Sequence, residues 1–301
     1  MFGTLYICRK FHLMKQIVAD FISFIRKPKD IPYSGNEKSY KWNVFFTLFA
    51  LELLLLVVYY PCVILLDKYV PLEQSLDATF SAIGTFFLMV LLIPFIEEVF
   101  FRLGLRRKYV LKSIFSEQEW QRWFPFFVYS STIVFGLVHI SNYANTQWIF
   151  FALAPFIILT QLTGGFIIAY LRVRFNFWLG YMYHALWNFT AFFIISSFFM
   201  FFTEDTHIKT DDYKLEIKEK MFESLSGSKT ISYKADDDTI YFIESDQYNM
   251  GKLLEIISPD NKEYIAKPST VVVLKFEAEK GISKDSLLIL LEEEDYLRKR
   301  R

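Results

Sequence analysis

Long apolar runs broken by short polar stretches fill the first two thirds of the chain, and strand-length alternation replaces them afterwards. Apolar runs over about 43–66, 78–101, 125–141, 148–171 and 177–202 predict five membrane spans, the third of them short, since a span takes roughly 20 mostly apolar residues. Before them, residues 14–27 put Ile17, Val18, Phe21, Ile22, Phe24 and Ile25 mostly on one side of a helix, with Lys15, Asp20, Arg26 and Lys27 as its polar residues. That stretch is too short and interrupted to span, and reads as an interfacial or packing helix. Residues 1–13 are expected to add little. After 204, strand-like stretches at 229–234, 239–244 and 270–277 are parted by turn signals at 236–238 and 258–260. A helix is expected over 284–299, with Ser283 as its N-cap. The predicted fold class is an all-α polytopic membrane helical bundle with a small C-terminal α+β soluble module. Its parts are an N-terminal segment 1–42, a transmembrane domain 43–203 and a tail 204–301.

Composition narrows this further. With 53% hydrophobic residues and 34 Phe in 301, the chain is neither disordered nor collagenous, and it is unlike an ordinary soluble enzyme. Its formal charge is zero, yet the first 204 residues carry a net +5 and the rest a net −5. Lys and Arg crowd before the first span, between the second and third, and between the fourth and fifth. The alternate loops hold one Lys at 67–77 and none at 141–147. The excess of Lys and Arg on the cytoplasmic side puts the N-terminus inside and the tail outside the cytoplasm. Two cysteines, Cys8 and Cys62, build neither a disulfide framework nor a thiolate metal site. No small-residue cleavage site follows the first apolar stretch, so no signal peptide is expected. The expected surroundings are a lipid bilayer and a peptide or protein substrate, with no nucleic acid, in a bacterial inner or cell membrane.

Ionisable groups inside apolar helices are costly and usually face a protein interior or a wet cavity. Glu52 lies within the first run, and the second ends in Pro94-Phe95-Ile96-Glu97-Glu98-Val99-Phe100-Phe101-Arg102. Glu98 and Arg102, four apart, share a helix face and can pair, whereas Glu97 is turned about 100° away and needs another partner. Phe135-Gly136-Leu137-Val138-His139 closes the third run, and His184-Ala185-Leu186-Trp187-Asn188 puts two polar heads on one face of the fifth. Taken singly, His139 reads more readily as a structural hydrogen-bonder, and Asn188 as glue between helices. Together the groups suit water activation by a glutamate with His and Asn steadying an oxyanion, with or without a metal.

Glu97-Glu98-x-x-x-Arg102, Phe135-x-x-x-His139 and His184-x-x-x-Asn188 resemble, in type and order, the three motifs of the CAAX protease and bacteriocin-processing family. These CPBP or Abi proteins are intramembrane proteases and include the eukaryotic prenyl-CAAX endopeptidase. The resemblance covers about 43–202 and leaves the tail aside; better-known relatives have six to eight spans. It implies that Glu97 and His139 polarise a water, that His184 and Asn188 stabilise the oxyanion, and that Glu98 and Arg102 support the site, Arg102 reaching for a substrate group. It also implies two chemistries, in which Glu97, His139 and His184 ligate Zn²⁺ or a glutamate activates water without metal. The function expected is an intramembrane endopeptidase acting on a membrane-associated or precursor peptide. The competing readings are a non-catalytic scaffold or bacteriocin-immunity protein and, third, a transporter, which would show repeat symmetry between helical halves.

Overall fold

The computed structural model describes residues 2–35, 38–73, 79–108, 110–225, 229–260, 263–266 and 271–300. Residues 78 and 270, at the edges of an expected span and an expected strand, lie outside these. The helical elements begin with α1 (Phe2–Arg26), α2 (Lys38–Tyr69) and α3 (Ala82–Thr85). A π segment (Phe86–Leu92) then leads into α4 (Ile93–Arg102). After α5 (Val110–Ile114) and α6 (Glu117–Val138), a 3₁₀ turn spans His139–Asn142. Next come α7 (Trp148–Ile157), α8 (Leu159–Arg174) and α9 (Phe177–Phe189); a second π segment (Thr190–Ile195) precedes α10 (Ser196–Phe201). Among the described residues, five helical stretches are long and apolar enough to cross a membrane, from Ser39, Ala82, Glu117, Trp148 and Phe177.

Two of these depart from the apolar pattern for physical reasons. The third span starts at Glu117 rather than near 125, which removes its shortness. Ser116 Oγ accepts from Glu119 N, and Glu119 Oε2 accepts from Ser116 N at 2.9 Å, a capping box that sets the start in polar sequence. In the second span Pro94 has no N–H to give to the preceding turn, and the helix widens into the π segment just upstream.

The chain forms two compact units, one of Met1–Tyr69, Leu88–Asn142 and Thr146–Phe189, the other of Val70–Phe87, Tyr143–Asn145 and Thr190–Arg301. In the first, Phe45, Trp120, Phe124, Tyr170, Leu171 and Tyr183 form the buried centre. α1 docks there through Ile17, Phe21 and Phe24, the two Phe rings edge-on to Tyr170 at 5.5 and 5.3 Å. Asp20 fixes its register, accepting from Tyr170 Oη at 2.6 Å and from Arg174 at 2.6 Å. Burial works against the Asp20 charge, but the hydrogen bonds from Arg174 and Tyr170 and the guanidinium charge prevail and hold its carboxyl below the usual aspartate value. The end of α4 is tied down as well. Arg172 donates to the carbonyls of Arg102 and Leu103 at 3.1 and 3.0 Å, and Asp30 accepts from Trp120 Nε1 at 2.8 Å and pairs with Arg106 at 2.9 Å.

The second unit holds an antiparallel five-stranded sheet in the order β1-β2-β6-β4-β3 and a two-stranded pair β5-β7. The strands are β1 (Thr206–Lys209), β2 (Lys214–Lys220), β3 (Thr230–Asp236), β4 (Thr239–Asn249), β5 (Tyr264–Ala266), β6 (Val271–Ser283) and β7 (Leu297–Lys299). One sheet face is apolar: Leu215, Ile217, Ile243, Leu274 and Phe276 pack on α11 (Met250–Ile257) and α12 (Lys284–Glu293). A fully buried side chain of this kind contributes about 1.5–3 kcal/mol. Ser283 caps α12 as expected, accepting from Ser286 N at 3.1 Å. The helix does not reach 299, however. It ends at Glu293, Asp295 turns the chain with φ 70°, and Leu297–Lys299 pairs with β5 as a strand.

This unit also takes in two connections between spans. Asn145 accepts from Glu73 N at 2.9 Å and donates to Pro71 O at 2.7 Å, and Arg300 pairs with Glu73 at 3.5 Å. Glu223 accepts from Thr79 and pairs with Lys229 at 2.8 Å, and its backbone N–H donates to Phe80 O. Burial opposes its charge, yet the Lys229 and Thr79 bonds hold its pKa below the usual glutamate value. These bonds put the tail on the side of the Lys- and Arg-poor loops. A cysteine introduced at the exposed Asp260, with Cys8 and Cys62 replaced, is therefore expected to react with a membrane-impermeant maleimide on intact cells. Labelling only after lysis would reverse the orientation.

Candidate active site

Helix periodicity brings the motif residues together from three spans. On α4, Glu98 and Arg102 share a buried face and stand 3.4 Å apart, at 1% and 0% side-chain exposure. Glu97, rotated away as its position dictates, stays 21% exposed. On α9, His184 points between the two carboxylates, with Nδ1 3.0 Å from Glu98 Oε1 and Nε2 3.4 Å from Glu97 Oε2. The shorter contact assigns the ring N–H to Nδ1, donated to Glu98, and leaves Nε2 facing Glu97.

His139, at the start of the 3₁₀ turn, places Nδ1 2.7 Å from Phe135 O. That bond assigns the proton to Nδ1 and leaves Nε2 as the acceptor. Its ring lies within electrostatic reach of Glu97, His184 and Arg102. Asn188 donates to Met89 O at 2.7 Å, and Tyr181 Oη to Leu91 O at 3.2 Å. Both acceptors belong to the π segment, where the wide turn leaves carbonyls for partners on α9.

Arg102 does not extend toward a substrate. It is fully buried, its guanidinium lies 3.8 Å from the Phe135 ring centroid, and none of its nitrogens has a hydrogen-bond partner among the described residues. Glu98 and the aromatic face are what hold it, the latter contributing on the order of 0.5–2 kcal/mol. Gly165 makes the room, since a Cβ there would stand 3.2 Å from Arg102 Nη2 and 3.1 Å from Thr132. Phe135 emerges as more than a motif marker, because its ring also meets His139 at 4.6 Å and His184 at 5.7 Å edge-on. Its place at i−4 to His139 was the sequence signal for the carbonyl bond; nothing in sequence announced the ring.

Glu97, His139 and His184 are donors of kinds that zinc accepts. His184 nevertheless turns both nitrogens to carboxylates, and among the described residues no three His, Cys, Asp or Glu side chains are grouped to hold one ion. The chemistry derived below rests on the carboxylates and imidazoles.

No curated protein and no solved structure matches the chain. A family model does, over residues 79–190, the stretch holding all three motifs, which agrees with the resemblance drawn from them. That model is described as type II CAAX prenyl endopeptidase Rce1-like, and the segment carrying this site is similar to that family.

Proposed function

We propose that the protein is an intramembrane endopeptidase that hydrolyses a peptide bond of a membrane-associated substrate, with Glu97 preparing the attacking water. The observation that carries this reading is the row Glu97–His184–Glu98–Arg102, with one partly exposed carboxylate at one end and a buried cation at the other. Water held by Glu97 and the free Nε2 of His139 gives a proton to Glu97 as its oxygen attacks the carbonyl carbon. Glu97 passes that proton to His184 Nε2, 3.4 Å away, and the N–H so formed steadies the charge that develops on the carbonyl oxygen. The same proton then reaches the leaving amine as the C–N bond breaks, leaving a carboxylic acid and an amine. Glu98 and Arg102 touch neither water nor substrate; they fix the rotation of His184. Asn188, bonded to Met89 O, sets the register of α9 against the π segment and presents its amide beside His184.

A prenylated peptide ending in a CAAX sequence is the first substrate class to assay, because the matched family is described by it. The test uses purified protein in liposomes with that peptide and its unprenylated counterpart, with and without chelator. Cleavage of either supports the assignment, the pair separates lipid-dependent from lipid-independent recognition, and the chelator reports on metal. No cleavage of either, nor of a peptide precursor from the same cell, would overturn it.

A further inference from the structure

One buried carboxylate takes no part in this chemistry. Glu52 lies in the middle of α2, outside the matched segment 79–190, and is 2% exposed. A charge-bearing group at that depth is costly and needs a reason to be there. Its Oε2 accepts from Tyr183 Oη at 2.6 Å. Its Oε1 has no hydrogen-bond partner among the described residues and abuts Gly164, where a Cβ would stand only 2.8 Å away. Tyr183 is fully buried, its ring edge-on to Phe45 at 5.3 Å and Phe49 at 5.8 Å, both on α2. So α2 holds Tyr183 by its ring and by its hydroxyl.

We propose that Glu52 is a positioning residue for His184, acting through Tyr183. The inference rests on the hydrolytic reading above. Tyr183 and His184 are consecutive on α9, about 100° apart around the helix. Fixing the Tyr183 hydroxyl on α2 therefore fixes the rotation that turns His184 to Glu97 and Glu98. The same carboxylate sets the approach of α8, because Gly164 receives Glu52 while its neighbour Gly165 receives Arg102. One group on α2 thus gauges two helices at the points where they meet the site. Plain structural glue would leave the orientation of the imidazole unaffected by which atoms Glu52 presents.

Three variants in liposomes separate these possibilities. Glu52→Gln keeps size and an acceptor oxygen for Tyr183; Glu52→Leu removes the acceptor; Tyr183→Phe removes the donor. Misplacement of a reacting group by about 1 Å costs up to roughly a hundredfold. Glu52→Leu and Tyr183→Phe are expected to lower kcat by about tenfold or more with KM nearly unchanged, and Glu52→Gln to restore most of it. The second measurement needs no substrate: the ¹⁵N signals of the His184 ring, assigned by their loss in His184→Asn. They should move in Glu52→Leu and Tyr183→Phe and stay at the wild-type position in Glu52→Gln. Wild-type ring signals in Glu52→Leu, or signals equally displaced in Glu52→Gln and Glu52→Leu, would overturn the proposal. If the wild type cleaves nothing, the protease assignment falls, while the ring signals still decide whether Glu52 aims His184.

Discussion

Glu97→Gln is expected to insert and fold as the wild type does and to lose about 10²- to 10⁴-fold in cleavage rate, the usual contribution of a general base. The replacement is nearly isosteric, and the side chain is partly exposed, so little packing depends on its charge. What disappears is the acceptor for the water proton and the carboxylate half of the pair with His184. The measurement is single-turnover cleavage at matched protein, with thermal unfolding in detergent as the control for folding. A variant that cleaves at the wild-type rate would refute the assignment of Glu97 as base, and full function of the variant in cells without any cleavage would refute the protease reading. A scaffold or immunity protein would tolerate the change.

Glu98→Gln should behave in the opposite way and show first as lost stability. Arg102 has no hydrogen-bond acceptor of its own; its charge is balanced by Glu98 at 3.4 Å and by the Phe135 face. Removing one partner of a buried ion pair leaves an uncompensated charge and typically costs about 3–5 kcal/mol. Thermal unfolding of Glu98→Gln should therefore fall well below that of Glu97→Gln. Adding Arg102→Met should recover part of the loss, because it removes the orphaned charge. Activity would not return with it, since Glu98 also fixes Nδ1 of His184. Equal stability of Glu98→Gln and the wild type would show that Arg102 finds a partner elsewhere.

The candidate residues were legible in sequence because each is an ionisable or amide group where an apolar helix tolerates few. The spacing of four between Glu98 and Arg102 sufficed to foresee their pairing. Which groups meet across helices was not legible. His184 stands between two carboxylates of α4, and Asn188 reaches the carbonyl of Met89. Those contacts depend on helix rotation, which is set by Tyr183, Phe135 and the two glycines of α8. None of these stands out in a pattern of apolar positions.

In the tail, the strands at β3, β4 and β6 follow alternation and turn signals, whereas α11 is signalled only by its cap, Asn249, and by Leu253, Leu254 and Ile257 at helical spacing. The expected helix to 299 was cut short by a backbone turn at Asp295 that an acidic run does not foretell. The start of α6 was hidden by its polar first turn, which the capping box stabilises outside the apolar run.

The wide turns at 86–92 and 190–195 each close their hydrogen bonds over one more residue than the α-helices they join. Such a turn is a store of slack. Losing one residue from 86–92 can return that stretch to ordinary α geometry while Glu97, Glu98 and Arg102 keep their rotation against α9, because the adjustment is absorbed upstream of them. Single-residue length changes on that side of the wide turn are thus buffered from the site. The same change between Ile93 and Arg102, or between Phe177 and Asn188, has no such reserve and would turn one carboxylate or imidazole out of the row.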